Sequence, residues 1–382
     1  VADPADEIVR NQLAAANTRF GIKLFNQIVQ QDQSKNVFIS PSSIAIALAM
    51  TYNGASGDTQ KAMAQTLELN GLSLDDTNNA YAALRNALTN ADPKVQLSIA
   101  NSLWLRQGAT LNDAFLQRNQ LYYRAQVQEL NFSDPNAAAT INQWVSQNTN
   151  GKIPKIVDQI PSEMMLYLIN AIYFKGTWTR EFDKSKTSDQ PFHLTDGSTI
   201  PVPLMAQSGS FSYQHNDNFQ AVSLPYGDGR LNMLVFLPAA GSSLQSFEQS
   251  LTEDQWATWM SRFHKAEGTL KLPRFKMDYE LSLNAPLRAL GMNAAFDPQT
   301  ADFSAMHSGG ERFYISEVKH KTFLEVNEEG TEAAAATSVG MGTTSIQPSE
   351  TKFNMVVDRP FFIAIRDNTT GSILFMGAIV QP

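Results

Sequence analysis

Residues with catalytic potential are present in this chain, but not in the arrangements that catalysis needs. A serine nucleophile elbow wants flanking glycines on a strained turn, and the nearest match, Gly54-Ala55-Ser56-Gly57-Asp58, lacks the last of them. Gly340-Met341-Gly342-Thr343-Thr344-Ser345 lacks the third glycine of a dinucleotide loop, and no helix-forming run follows to offer its N-terminus to a phosphate. The five histidines, His193, His215, His264, His307 and His320, form no pair at helical ligand spacing. With no cysteine there is no thiolate, no sulfur-ligated metal and no disulfide. These residues describe a protein that is not an enzyme, with no catalytic residue, metal or cofactor of its own.

One segment departs from ordinary composition. From Gly330 to Ser345 there is no Lys, Arg or aromatic residue, and Glu332 is the only acid. That is the make-up of a flexible loop. Yet the strand period of two runs through it: Thr331, Ala333, Ala335, Thr337, Val339, Met341 and Thr343 share one face, and the single charge lies on the other. Such a segment suits solvent in one conformation and a sheet in another. An Ala-rich linker or a short helix has the same composition.

Other elements must hold this segment. Phe20, Leu24 and Ile28 mark an amphipathic helix over about residues 6–31. Ser40-Pro41 then caps and starts a buried helix through the run Ile44 to Met50, ending near Gly54. Asp134-Pro135 starts a third helix carrying Ile141, Trp144 and Val145, which Asn150-Gly151 stops. From Leu166 onward strands dominate: Leu166 to Phe174, Ala221 to Pro225, Leu231 to Leu237, Thr269 to Leu272, Ile315 to Asn327, Phe361 to Arg366 and Ser372 to Val380. This is an α+β pattern without linker or repeat, read as a single domain over 1–382.

With 43% hydrophobic and 17% charged residues, the 382-residue chain can bury a sizeable core. A formal charge of -8 argues against nucleic acid and anionic membranes as partners. The start Val1-Ala2-Asp3-Pro4 has no methionine and no apolar leader, which fits a secreted or extracytoplasmic product, with a cytoplasmic one as the alternative.

The segment Asn327-Glu328-Glu329-Gly330-Thr331-Glu332-Ala333-Ala334-Ala335-Ala336-Thr337 resembles the hinge of an inhibitory serpin. Blocks similar to other serpin signatures occur in the family's order: Asn36 to Ile44, Asn170 to Trp178, Leu272-Pro273-Arg274-Phe275, Asp358 to Phe362, and Leu374 to Gly377. The resemblance implies three β-sheets (A, B and C), eight or nine helices, and an exposed reactive-centre loop over about 328–350. It also implies a suicide-substrate inhibitor. The target protease's serine would form a covalent acyl-enzyme with the loop and be carried along as the loop inserts into sheet A. The alternative is a non-inhibitory serpin acting as chaperone, carrier or storage protein.

By the same resemblance Ser40, Ser43, Asn170 and His320 match a polar cluster called the shutter, and Trp178, Arg274 and Glu328 match the breach at the top of sheet A. Taken alone, His320 and Trp178 read as core residues, and the Arg–Glu pair as a surface contact worth under about 1 kcal/mol. In this family the hinge acid and the scissile residue bound seventeen residues, which from Glu328 reaches Thr344 and places the reactive bond at Thr344-Ser345. Met341 and Ile346 are the alternatives if the register shifts. A heparin-type activator is not expected, since residues 72–95 carry only Arg85 and Lys94 as basic residues. A monomer is.

Overall fold

The computed structural model of the chain describes residues 3–331 and 352–382. Of the positions singled out above, Glu332, Ala333, Ala334, Ala335, Ala336, Met341, Thr344, Ser345 and Ile346 lie outside the described residues.

The nearly unbroken apolar run after Leu166 suits a strand buried on both faces. It forms the centre of a six-stranded sheet A, whose strands are β1 (Val95–Arg106), β2 (Gln126–Leu130), β3 (Leu166–Thr177), β4 (Phe275–Ser282), β5 (Ile315–Val326) and β6 (Gly330–Thr331). Their spatial order is β4-β5-β6-β3-β1-β2. Alternation along β3 feeds two cores. Leu166, Leu168, Ile172 and Phe174 enter the larger one, while Tyr167, Ile169, Ala171 and Tyr173 enter a smaller one closed by Ile141 and Val145 of the helix Ala137–Asn148. Along β5 the same period sends Val318, Leu324 and Val326 to the larger core and Phe323 to the smaller.

Beneath sheet A lies the helix Pro41–Tyr52, every residue of which is buried. Ser40 caps it, its Oγ accepting the Ser43 N–H at 3.3 Å, and Pro41 supplies the preset first turn. The helix packs between β3 and the strand Ile373–Ile379. The capping geometry therefore delivers Ser40 and Ser43 to the underside of the sheet.

Sheets B and C share the long strand Thr199–His215. Its first part pairs with Ser188–His193, and from Leu204 to Tyr213 it pairs with His264–Pro273, which Phe353–Val356 extends; its last residues pair with Phe219–Pro225, leading on to Leu231–Pro238, Phe361–Asp367, Ile373–Ile379 and Val37–Ile39. Besides the single 3-10 turn Lys184–Lys186, nine helical units occur among the described residues: 4–31, Pro41–Tyr52, Gly57–Thr66, Leu74–Thr89, 113–123, Ala137–Asn148, Leu244–Ser250, Glu253–Arg262 and 284–296. No helix among them is long and apolar enough to cross a membrane.

Some boundaries differ from the sequence reading. The third helix begins at Ala137 rather than at Asp134-Pro135, because the Asp134 carboxylate accepts the Asn136 N–H at 2.8 Å and makes a turn there first. Strands β1 and β2 lie in the half read as helical, and three helical units lie after Leu166. Those helices are short and amphipathic, so their period has few turns in which to show itself.

Candidate functional site

Strands β3 and β5 run parallel and pair directly from Leu166 and Ile315 to Tyr173 and Phe323. No other strand stands between them over that stretch. Above it they diverge, and β6 enters the fork, Thr331 pairing with both Val326 and Gly176.

Midway along the ladder, Asn170 and His320 face each other across the two strands. His320 Nδ1 lies 2.6 Å from Asn170 Oδ1, and the Ser40 backbone N–H donates to His320 Nε2 at 3.2 Å. Those partners specify the neutral tautomer with its proton on Nδ1. The Asn170 amide in turn donates to Ser43 Oγ at 2.6 Å and to Asn101 Oδ1 at 2.5 Å. The structure thus brings Ser40, Ser43, Asn170 and His320 into one buried network, with Asn101 of β1 as a member that the sequence did not suggest. Such a bond adds only about 1 kcal/mol when made, but leaving a buried partner unpaired costs about 1–3 kcal/mol. Separating β3 from β5 disrupts the network, which resists opening for that reason.

Burial pushes the His320 imidazole down to about 3. In the unfolded chain it titrates near 6.5, so between the two values the unfolded state binds a proton that the folded state does not. The associated stability is full above about pH 6.5 and falls with pH below it, by up to about 1.4 kcal/mol per unit. A His320→Gln variant is expected to lose that slope. Urea midpoints between about pH 6.5 and 5 should fall more steeply for the wild type than for the variant. Parallel profiles would contradict the assignment.

At the top of the sheet the turn after β5 is locked from several sides. The Asn327 carboxamide oxygen accepts the N–H groups of Glu329 and Gly330, each at 3.0 Å. The Trp178 indole donates to Asn327 O at 2.9 Å, while its ring stacks on Tyr226 with centroids 4.4 Å apart. Glu328, 3% exposed, accepts from Arg274 at 3.0 Å and from Thr187 at 2.8 Å, and Lys184 pairs with Glu329 at 2.7 Å. Arg274 is half exposed, so the pair is neither an isolated surface contact nor a fully buried one.

Gly330 has φ 147°, and a Cβ there would collide with the Gly176 carbonyl oxygen and come within 2.8 Å of Thr177 Cα and Trp178 N. Only glycine fits this close approach. Trp178, Arg274 and Glu328 therefore meet at the fork, with Asn327, Thr187, Lys184 and Tyr226 as partners to which the sequence reading gave no such role. Of these, Asn327 alone carried a signal, as the first residue of the hinge-like run.

A family model described as "Serpin (serine protease inhibitor)" matches residues 15–382. The human leukocyte elastase inhibitor is 35% identical over 384 residues, covering 97% of this chain and all of that protein. Among solved structures, the thermophilic serpin tengpin in its native state superposes with TM-score 0.90 at 32% identity, covering 100% of this chain and 95% of that one. Human thyroxine-binding globulin superposes with TM-score 0.89 at 27% identity, covering 98% and 99%. A forked sheet A with the hinge turn at its mouth, carried by three sheets and nine helices, is the serpin fold, and the chain belongs to the serpin family.

Proposed function

We propose that this protein is a suicide-substrate inhibitor of serine proteases, which traps the acyl-enzyme by inserting its cleaved loop between β3 and β5. The observation that carries this reading is the fork itself. Below Tyr173 and Phe323 the two strands are paired to each other, and at its mouth β6 sets the register that an entering strand would continue. Six rungs beyond Thr331, Thr337 would fall between Asn170 and His320; ten rungs beyond, Met341 would fall beside Leu166. Odd-numbered residues would face the larger core, the side to which Phe174, Leu324 and Val326 point. The odd-numbered set is the small or apolar one, so an entering strand buries no charge on that face.

In the proposed reaction the protease serine attacks the Thr344 carbonyl, the bond to the Ser345 nitrogen breaks, and the new amine stays on the C-terminal segment, whose strands remain in the sheets. The ester stays on the protease while the loop enters the sheet. The name of the leukocyte elastase inhibitor agrees with an elastase-like target. Glycosaminoglycan activation is not part of the proposal. Arg85 is 8% exposed with its Nε on Tyr122 O at 3.4 Å, and Lys94 pairs with Asp228 at 3.3 Å. Lacking cysteine, the fold can operate in oxidising or reducing compartments alike, and a monomer suffices for the mechanism.

Thr331→Arg tests the insertion. By register, position 331 pairs with Gly176 and so shares its face, the one on which Leu166, Leu168, Ile172 and Phe174 enter the larger core. A guanidinium carried into that core on insertion loses its hydration, which is costly. The variant is expected to be cleaved as a substrate, with SDS-stable complex per mole of inhibitor falling by about tenfold or more. Wild-type yields of complex would refute the facing.

A carrier role is the second reading, and one feature favours it. A cavity of ≈ 350 Å³ beside Trp178 is lined by Phe211, Phe263, Arg180 and Arg366, with no Asp or Glu among its described lining residues. Burial lowers the pKa of both guanidinium groups, and Arg366 Nε has no hydrogen-bond partner. An aromatic anion would suit it. The thyroxine-binding globulin structure is of a complex with thyroxine, which gives the carrier reading a small-molecule precedent on this fold.

A further inference from the structure

The helix Leu244–Ser250 turns Glu248 inward, away from every strand involved in insertion. Its side chain is 7% exposed, with no ion pair or hydrogen bond among the described residues. It lines a cavity of ≈ 530 Å³ whose other walls come from His193-Leu194-Thr195, Arg359-Pro360 and Val380. Two further charged or titratable groups line this space. Arg359 places its guanidinium on Asp358 Oδ1 at 2.9 Å and on Pro238 O at 3.0 Å, and His193 Nε2 faces Asp358 Oδ2 at 4.0 Å. Both are turned to the same neighbouring carboxylate. Glu248 is therefore the one acid lining the cavity with no counter-charge.

A buried carboxylate without a partner is costly, and burial pushes this one up to about 7. Sites that hold such a group are candidates for a ligand that supplies the missing charge. The rest of the wall is mixed: Leu194, Leu244, Pro360 and Val380 give it an apolar part, and serine, threonine and glutamine side chains a neutral polar one that carries no charge. We propose that this cavity binds a small primary amine, whose ammonium pairs with the Glu248 carboxylate and whose hydrocarbon body rests on Leu194, Leu244 and Pro360. The site is separate from the sheet A fork and does not depend on protease inhibition.

Benzylamine is a suitable probe, because it stays an ammonium ion over the relevant range. Calorimetric titration of the intact protein is expected to show one saturable site at about pH 8, with affinity lower by about tenfold at about pH 6, where Glu248 is mostly protonated. Titration near pH 7 in two buffers of different ionisation enthalpy should show proton release on binding. Glu248→Gln is expected to weaken binding by about tenfold or more while leaving the unfolding temperature equal or higher, since a buried charge is removed. His193→Asn should keep the pH dependence, which assigns it to Glu248. The proposal is overturned by absence of saturable binding at about pH 8, or by binding without proton release. Unchanged affinity in Glu248→Gln overturns it as well. Should that variant not fold, proton release by the wild type decides.

Discussion

Nicking the loop without denaturant is expected to raise the unfolding temperature by more than about 10 °C, a shift that corresponds to several kcal/mol in a chain of this size. In the intact fold β3 and β5 are paired to each other below the fork, and among the described residues Gly330 and Thr331 alone stand between them at its mouth. An inserted strand replaces that one ladder with two, so the sheet gains a full set of backbone hydrogen bonds. It also covers the inward face of the loop, at about 25 cal/mol per Å² of apolar area removed from water. Against these gains stands the entropy of ordering a flexible segment, about 1–2 kcal/mol per residue.

The hydrogen-bond gain and the ordering cost are of similar size, so burial and relief of the intact fold's own strain decide the sign. On the proposed mechanism the intact state is held by a barrier rather than by its depth. Two sets of hydrogen bonds would contribute to it. Opening the sheet disrupts the His320–Asn170 network, and it disturbs Lys321, whose Nζ donates to Lys155 O at 2.7 Å. Calorimetry of intact and nicked protein measures the outcome. Equal unfolding temperatures would remove the inhibitory mechanism and leave the carrier reading, with its cavity beside Trp178.

The parts of this site legible in the sequence are those whose signal is local. Ser40-Pro41 announces a helix cap, and that cap sets Ser40 and Ser43 under the sheet. The period of two in Val318, His320, Thr322, Leu324 and Val326 announces which face of β5 is inward, and His320 falls on that face with Val318, Leu324 and Val326. Partners supplied by tertiary approach left no such trace. Asn101 reaches the network only because β1 lies antiparallel to β3 with Asn101 opposite Asn170. Tyr226 stacks on Trp178 because a hairpin turn 48 residues further along the chain folds back there, with Thr179 donating to Gly227 O at 2.7 Å. Glu248 sits on a seven-residue helix whose period is too short to tell inside from outside.

Cleavage by an elastase-like or subtilisin-like protease is expected at Thr344-Ser345, and trypsin-like enzymes should be trapped slower by roughly a hundredfold or more. Between Gly330 and Thr351 the chain offers no Lys or Arg, so a specificity pocket with a buried acid at its base finds no cation to neutralise it. Thr344 is small and β-branched, and fits a shallow apolar pocket instead. The register at the fork bears on the same bond. The β3–β5 ladder below Thr331 ends near Leu166 and Ile315, so residues up to about Met341 fill it. A bond cut at Thr344 leaves about three residues to span from the bottom of the sheet to the ester, each reaching about 3.3–3.6 Å when extended. That short tether would draw the protease against the far end of the inhibitor, where its active site is deformed before water can release it. A cut after Ile346 would leave a longer, slacker tether, and one after Met341 would leave almost none. Mass spectrometry of the C-terminal fragment released from the complex should find it beginning at Ser345. A fragment beginning at Gly342 or Gln347 would move the reactive bond, and efficient covalent trapping of trypsin would overturn the specificity argument.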